Sequence, residues 1–456
     1  MSLPRITRHV VEVGACRVHY RRCGRGPALL LVHQSPRSSA EYEPLMLRWG
    51  REFTVIAPDS PGFGQSTPFA DDSATIDDFA QAVIDFADSI GLGRVPAYGF
   101  HSGAIILMRA LRLQPHRFAA VAAGGYAVWT EEERRIFSEH YLPPFRPSAY
   151  GEHLVWAWNR ILEQSWFFPW FDPRPGTRLP KPFDDPARVH AQVMELMDSG
   201  DAYRAGYGAV LKAERDVPPP DADIAPVFIN TYAADPLCAH IDRLGELPRG
   251  WSTAKLDTPA EHEAASYDWL RPFAAGDTPP VVETTDEGWA PVSAEGFDGL
   301  IHWRIDRGES VACIAAPGRA VDMLPAGGID PPGHGLSDAW AALPPTRWRL
   351  WRGVLDAAAK QIGLAALDQL EPPPGDPARL FPDLSPDRFG THLIRAWSIV
   401  RAERLFAPWH DVGAETALLF APADLAPDRL HIAARALLKA GPAARAFAEA
   451  LNEGDR

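Results

Sequence analysis

The chain has 456 residues, 46% hydrophobic and 23% charged, ordinary proportions for a globular protein and enough length for two or three domains. Its formal charge of −14 argues against nucleic acid or an anionic membrane surface as a partner, because both reward basic patches. Cys16, Cys23, Cys238 and Cys313 follow no metal or disulfide spacing, the first residues lack a charged-then-apolar leader, and no apolar run could span a bilayer, so a cytoplasmic protein is expected. In chain order, residues 11–22 alternate in part, as a strand hairpin does. The run from Ala28 to His33 and the run from Thr54 to Asp59 read as strands buried on both faces of a parallel sheet. The second of these ends in the turn Ser60-Pro61-Gly62-Phe63-Gly64. A helix is expected from about Ile76 to Ile90, then a strand from Val95 to Gly99 running into His101-Ser102-Gly103 and another helix. From about residue 128 to 217 the chain turns to aromatic-rich helices, which reads as a cap inserted into the sheet domain. Strand character returns at 225–236 and 251–257, and residues 274–280 look like a linker. Strands alternating with helices predict an α/β fold with a doubly wound, mostly parallel sheet.

The remainder echoes the first part in the same order. His19-Tyr20-Arg21 returns as His302-Trp303-Arg304, and the turn Asp59–Ser66 as Asp330–Ser337. Tyr150–Trp170 aligns without a gap with Phe389–Trp409, and Pro186–Gly200 with Pro427–Gly441. The spacing shrinks between turn and cap, where the first half carries its central strand–turn–helix. Two domains are therefore expected: 1–275, complete, and 276–456, a truncated and degenerate repeat that stops after its cap and lacks the catalytic centre.

Three segments resemble the α/β-hydrolase superfamily, in the branch that carries a helical cap and includes epoxide hydrolases, dehalogenases and C–C bond hydrolases. His33-Gln34-Ser35-Pro36 sits where that family has its oxyanion loop, Asp59–Ser66 resembles its D-x-PGxGxS turn, and Gly99-Phe100-His101-Ser102-Gly103 sits at its nucleophile elbow. The elbow needs small residues two before and two after its tip, and only His101 is so flanked; Ser102 would place Phe100 at a crowded position. The tip thus carries a histidine in place of the family's Ser, Cys or Asp. The resemblance further implies that Asp235 orients His262 as general base. It implies that the amides of Ser102 and Ser35 hold an oxyanion. His33 is expected to pin its loop; Gln34 replaces a glycine and either reshapes the loop or puts an amide into the pocket. Trp156 and Trp166, which are Arg395 and Leu405 in the second half, are the candidates for lining a substrate pocket.

Three functions fit this pattern. One is a hydrolase acting on a small apolar or aromatic ester or carbonyl compound, with His101 and His262 as acid and base or with Ser102 as nucleophile after rearrangement. Another is a lyase, isomerase or cofactor-free proton-transfer enzyme, and the third a non-catalytic ligand-binding scaffold whose two caps pack as in a dimer. No metal cluster, dinucleotide fingerprint or phosphate loop is present in the sequence, so no cofactor is expected and the partner is a small-molecule substrate.

Overall fold

The computed structural model describes residues 4–71, 73–306 and 311–453. It opens with a hairpin, β1 (Ile6–Val13) and β2 (Cys16–Cys23), longer at its first strand than the alternation suggests. β3 (Ala28–Val32), α1 (Glu43–Trp49), β4 (Thr54–Pro58), α2 (Ile76–Ser89), β5 (Val95–Phe100), α3 (Ser102–Leu113) and β6 (Phe118–Gly124) follow. Every residue of β3 and β4 is buried, which is what apolar runs without alternation require. α2 starts where the Thr75 amide donates to the Asp78 carboxylate at 2.7 Å, an acidic side chain satisfying a helix-end donor. Four helices separate β6 from the next strand: α4 (Glu131–His140), α5 (Glu152–Trp166), α6 (Pro186–Ser199) and α7 (Tyr203–Lys212). β7 (Val227–Tyr232), β8 (Ser252–Leu256) and α8 (Pro259–Leu270) complete the first sheet system. Its strand order is β1-β2-β4-β3-β5-β6-β7-β8, with β3 to β8 parallel and only the first two strands antiparallel to their neighbours. This is the doubly wound, mostly parallel α/β sheet that the strand–helix alternation predicts.

The second sheet uses β9 (Glu287–Ala294), β10 (Phe297–Ile305), β11 (Val311–Ile314), β12 (Gly327–Ile329) and β13 (Ala366–Leu367) in the order β13-β11-β12-β10-β9. Its helices are α9 (Trp348–Gln361), the single turn α10 (Pro377–Leu380), α11 (Thr391–Ala402), α12 (Pro427–Ala440) and α13 (Pro442–Glu453). Read from the hairpin, β9-β10-β12-β11-β13 repeats the order β1-β2-β4-β3-β5, with the same parallel and antiparallel pairings. Hydrogen bonds repeat too. His19 Nδ1 and Asp59 Oδ2 lie 2.8 Å apart, and His302 Nδ1 and Asp330 Oδ2 2.7 Å. The backbone amides of these histidines donate to Ser66 Oγ and Ser337 Oγ at 3.0 and 2.9 Å. Two details differ from the sequence expectation. A two-residue strand, β13, remains at the place of β5, and the chain continues beyond α12 into α13, which packs Phe447 on Trp351.

Two compact bodies result. One comprises the chain up to Phe145 with Asn159–Asp184 and Ala191–Glu283; the other comprises Arg146–Trp158, Asp185–His190 and the chain from Thr284. The division thus falls later than the expected 275/276, and for a physical reason. Thr278 Oγ1 accepts from the Gly26 amide at 2.7 Å, Pro280 O accepts from Arg22 at 3.1 Å, and Tyr20 Oη donates to Val282 O at 2.5 Å, so the expected linker is fastened to β2. The first core gathers Leu29, Leu31, Met46, Val55, Tyr98 and Leu270; the second gathers Val292, Ile301, Trp351, Val354 and Phe447.

Candidate active site

The site forms where β5 passes sharply into α3. At the tip stands His101, with φ 48° and ψ −110°, a region that side chains other than glycine rarely adopt. Its amide donates to Gly124 O at 2.8 Å, fixing the turn to the end of β6. A Cβ on Gly99 would lie 2.4 Å from the Gly103 carbonyl carbon, and one on Gly103 would lie 1.9 Å from Val32 O. Both flanking glycines are therefore obligatory, and the register with His101 at the tip is the one observed.

The carboxylate of Asp235, just after β7, faces His101. His101 Nε2 lies 3.1 and 3.2 Å from its two oxygens. The same carboxylate accepts from Thr231 Oγ1 at 3.0 Å and from the Leu237 amide at 2.8 Å. Burial alone would raise the Asp235 pKa, but His101 and these donors hold it below the usual carboxylate value. An ionised carboxylate only accepts, so Nε2 of His101 carries a proton, and in the neutral ring the lone pair is on Nδ1. The His101 side chain is 22% exposed while that of Asp235 is 0% exposed, so the outer face of the dyad is the imidazole.

The hydrogen bonds of Asp235 go to His101, Thr231 and Leu237, and among the described residues none reaches His262, the residue that the resemblance implies it orients. His262, on α8, is buried and its Nε2 lies 3.1 Å from Tyr98 Oη; its Nδ1 has no hydrogen-bond partner among the described residues. Burial pushes its pKa down to about 4, so the ring is neutral near pH 7. Phe100 touches both imidazoles, stacked on His101 at 4.0 Å between ring centroids and edge-on to His262 at 5.4 Å. What lets Asp235 reach the elbow is Gly125: a Cβ there would lie 2.4 Å from His101 Cδ2 and 2.8 Å from Asp235 Oδ2. Gly124 plays the same part for His262, whose Cε1 would lie 2.7 Å from a Cβ. Neither this glycine pair nor Tyr98 stands out in the sequence; the signal is two adjacent glycines closing an alanine-rich strand.

The oxyanion loop also differs from the expectation. The Ser35 amide donates to Ser102 Oγ at 3.2 Å, so that amide is engaged, and the hydroxyl of buried Ser102 has no imidazole partner among the described residues. The Ser102 amide opens α3, where no intrahelical acceptor exists for it. Gln34 turns away from the elbow: its amide and its Nε2 both donate to Glu41, at 2.7 Å each. His33 holds the loop, donating from Nδ1 to Gln34 O and accepting from the Ser60 amide at Nε2, both at 2.9 Å. Trp166 spends its indole N–H on Phe183 O at 3.0 Å, and Trp156 lies on the part of α5 that belongs to the second body.

Residues 27–140 match the family described as alpha/beta hydrolase fold. Haloalkane dehalogenase 2 of Mycobacterium tuberculosis is 32% identical over 113 residues, 25% of this chain and 40% of the relative. The 2-(acetamidomethylene)succinate hydrolase of Mesorhizobium japonicum is 28% identical over 123 residues, 27% of this chain and 44% of the relative. The chain thus matches less than half the length of these curated relatives. Among solved structures, epoxide hydrolase A from Mycobacterium thermoresistibile superposes with TM-score 0.46 at 19% identity, covering 60% of this chain and 100% of that one. Among the described residues no helix is long and apolar enough to cross a membrane.

Proposed function

We propose that this chain is an α/β-hydrolase-superfamily enzyme, a hydrolase of a small ester or related carbonyl compound in which His101, held by Asp235, activates water for direct attack. The observation that carries the reading is the His101–Asp235 pair at the elbow; in its neutral form that imidazole offers the Nδ1 lone pair to a proton. Water gives a proton to Nδ1 as its oxygen bonds to the carbonyl carbon, and the carbonyl π electrons move onto oxygen. The Ser102 amide is the donor available to that oxyanion. Collapse of the tetrahedral intermediate expels the alkoxide, which takes the proton back from the imidazolium, leaving acid, alcohol and the neutral dyad. Asp235 stabilises the imidazolium while it exists. His262, neutral, bonded to Tyr98 and edge-on to Phe100, supports the ring that stacks on His101. Among the described residues of the second body no helix follows β13 directly, the next being the single turn α10, which supports reading the chain from Thr284 as a truncated, non-catalytic copy.

The test is turnover of short and aromatic nitrophenyl esters beside labelling with a fluorophosphonate. His101→Ala and Asp235→Asn should abolish turnover, Ser102→Ala should retain it, and no serine should be labelled. Labelling of Ser102 would sink the reading. The same base fits a second one, abstraction of a carbon-bound proton by a lyase or isomerase, favoured by Ser102 Oγ accepting from the Ser35 amide with no imidazole beside it among the described residues. Incorporation of oxygen from labelled water into product marks hydrolysis; deuterium exchange into substrate without it marks proton transfer.

A further inference from the structure

Within the second body, α5 and the start of α6 meet α11 and α12, the helices that align with them in sequence. Each contact occurs twice with the roles exchanged. Trp158 Nε1 donates to Arg388 O at 3.2 Å, and Trp397 Nε1 donates to Ala149 O at 3.3 Å. In the gapless alignment, Trp397 is the equivalent of Trp158 and Arg388 lies at the equivalent of Ala149. The Trp158 ring packs edge-on to His392 at 5.2 Å, and Trp397 edge-on to His153, its equivalent, at 4.9 Å. A Cβ on Gly390 would strike Trp158 and one on Gly151 would press on Trp397, so each indole needs the glycine that begins the opposite helix.

The histidines follow the same rule. His190 Nδ1 and His392 Nε2 are 3.0 Å apart; their equivalents His431 Nδ1 and His153 Nε2 are 3.4 Å apart. The direction of each pair is fixed alike: Nδ1 of His153 accepts from the Ser148 amide, and Nδ1 of His392 from the amide of the equivalent Asp387. In both pairs Nε2 therefore carries the proton and donates to the histidine of the other half. An arrangement in which i meets j and the equivalent of j meets the equivalent of i is the signature of a two-fold, isologous interface.

We infer that this seam is an interface by which one cap binds a second copy of itself, and that the C-terminal half serves as a covalently tethered dimerisation partner for the cap. The inference rests on the reading of that half as a copy, but not on any catalytic role of His101. A tether of this kind raises the effective concentration of the partner cap without adding a contact.

The test cuts the intact protein at a protease site introduced after Glu283, between the two bodies. The two pieces should remain one particle of full mass at micromolar concentration, as seen by native mass spectrometry. Trp158→Phe and Trp397→Phe, each removing one of the two equivalent hydrogen bonds, should weaken association by a similar factor, roughly fivefold. Trp351→Phe, which removes the bond to Pro345 O inside the second sheet core, should not. In the uncut chain, Trp397→Phe should speed amide exchange at the start of α5, and Trp158→Phe should do the same in α11. Pieces that part on cutting, or association and exchange indifferent to both seam tryptophans, would overturn the inference.

Discussion

Gly125→Ala isolates what positions the elbow dyad. The native residue has φ +56°, where an alanine costs about 1–2 kcal/mol. The added methyl would also stand 2.4 Å from His101 Cδ2 and 2.8 Å from Asp235 Oδ2. Ordinary contact for such atoms is about 3.5 Å or more, so imidazole and carboxylate must move by roughly 1 Å. That opens a charge-assisted hydrogen bond now at 3.1 Å, a loss of about 1.5–3 kcal/mol. Gly91→Ala is the control, because it has φ +69° and nothing within 4 Å of its Cβ. It suffers the backbone strain alone. Urea unfolding at neutral pH should therefore show Gly125→Ala losing about 2 kcal/mol more than Gly91→Ala, and ester turnover should fall about a hundredfold only in the first. Equal losses in the two variants, or full turnover in Gly125→Ala, would refute the claim that this glycine exists to admit the dyad.

Ser102→Ala removes a hydroxyl that, among the described residues, accepts from the Ser35 amide alone, so it should cost about 1 kcal/mol of stability and leave turnover within a few-fold; complete inactivation would return the serine to the mechanism. Burial pushes His153, His190, His240, His262 and His334 down to about 4, against roughly 6.5 unfolded. Each group's stabilisation is complete above pH 6.5 and is lost as pH falls towards 4, at up to about 1.4 kcal/mol per pH unit per histidine. His302 and Glu41 run the other way: Asp330 and Glu287 raise the first against the effect of burial, and burial pushes the second up to about 7, but the five lowered histidines outnumber them. A urea midpoint that stays flat between pH 7 and pH 5 would contradict the net sign. Asp59→Asn places an amide among donors from Ser39, Gln65 and His19, and should cost about 3–5 kcal/mol of stability, seen as faster exchange in β2 and β4. Asp330→Asn should do the same in β10 and β12; exchange that stays native would refute the shared role.

Buried parallel strands are legible because nothing polar interrupts them, and β3, β4 and β5 fall where their apolar runs lie. β6 is not legible. Phe118–Gly124 is mostly alanine, which favours helix in isolation and becomes a strand only between β5 and β7. The elbow register was readable from sterics, since two glycines flank one residue only. The partner of Asp235 was not, because it depends on the space left by Gly124 and Gly125, a tertiary fact with no local periodicity. Engagement of the Ser35 amide by Ser102 was hidden for the same reason: it joins residues 67 apart in sequence.

The exchange of partners around Asp235 bears on the kind of chemistry available. In the arrangement implied by the resemblance, the acid supports a histidine that in turn deprotonates a nucleophile at the elbow. Here the acid supports the elbow residue itself, and the late histidine is buried, neutral and bound to a phenol. In the proposed reading a relay of three groups becomes a dyad of two, with the proton acceptor standing where the nucleophile would. An imidazole so placed has its protonated nitrogen committed to Asp235, and attack through Nδ1 would leave a cationic acyl-imidazole beside that carboxylate. Deprotonating water needs only the lone pair and a transient imidazolium, which the same carboxylate stabilises. The geometry thus favours a base over a covalent nucleophile, because a base uses His101 in the orientation Asp235 already imposes.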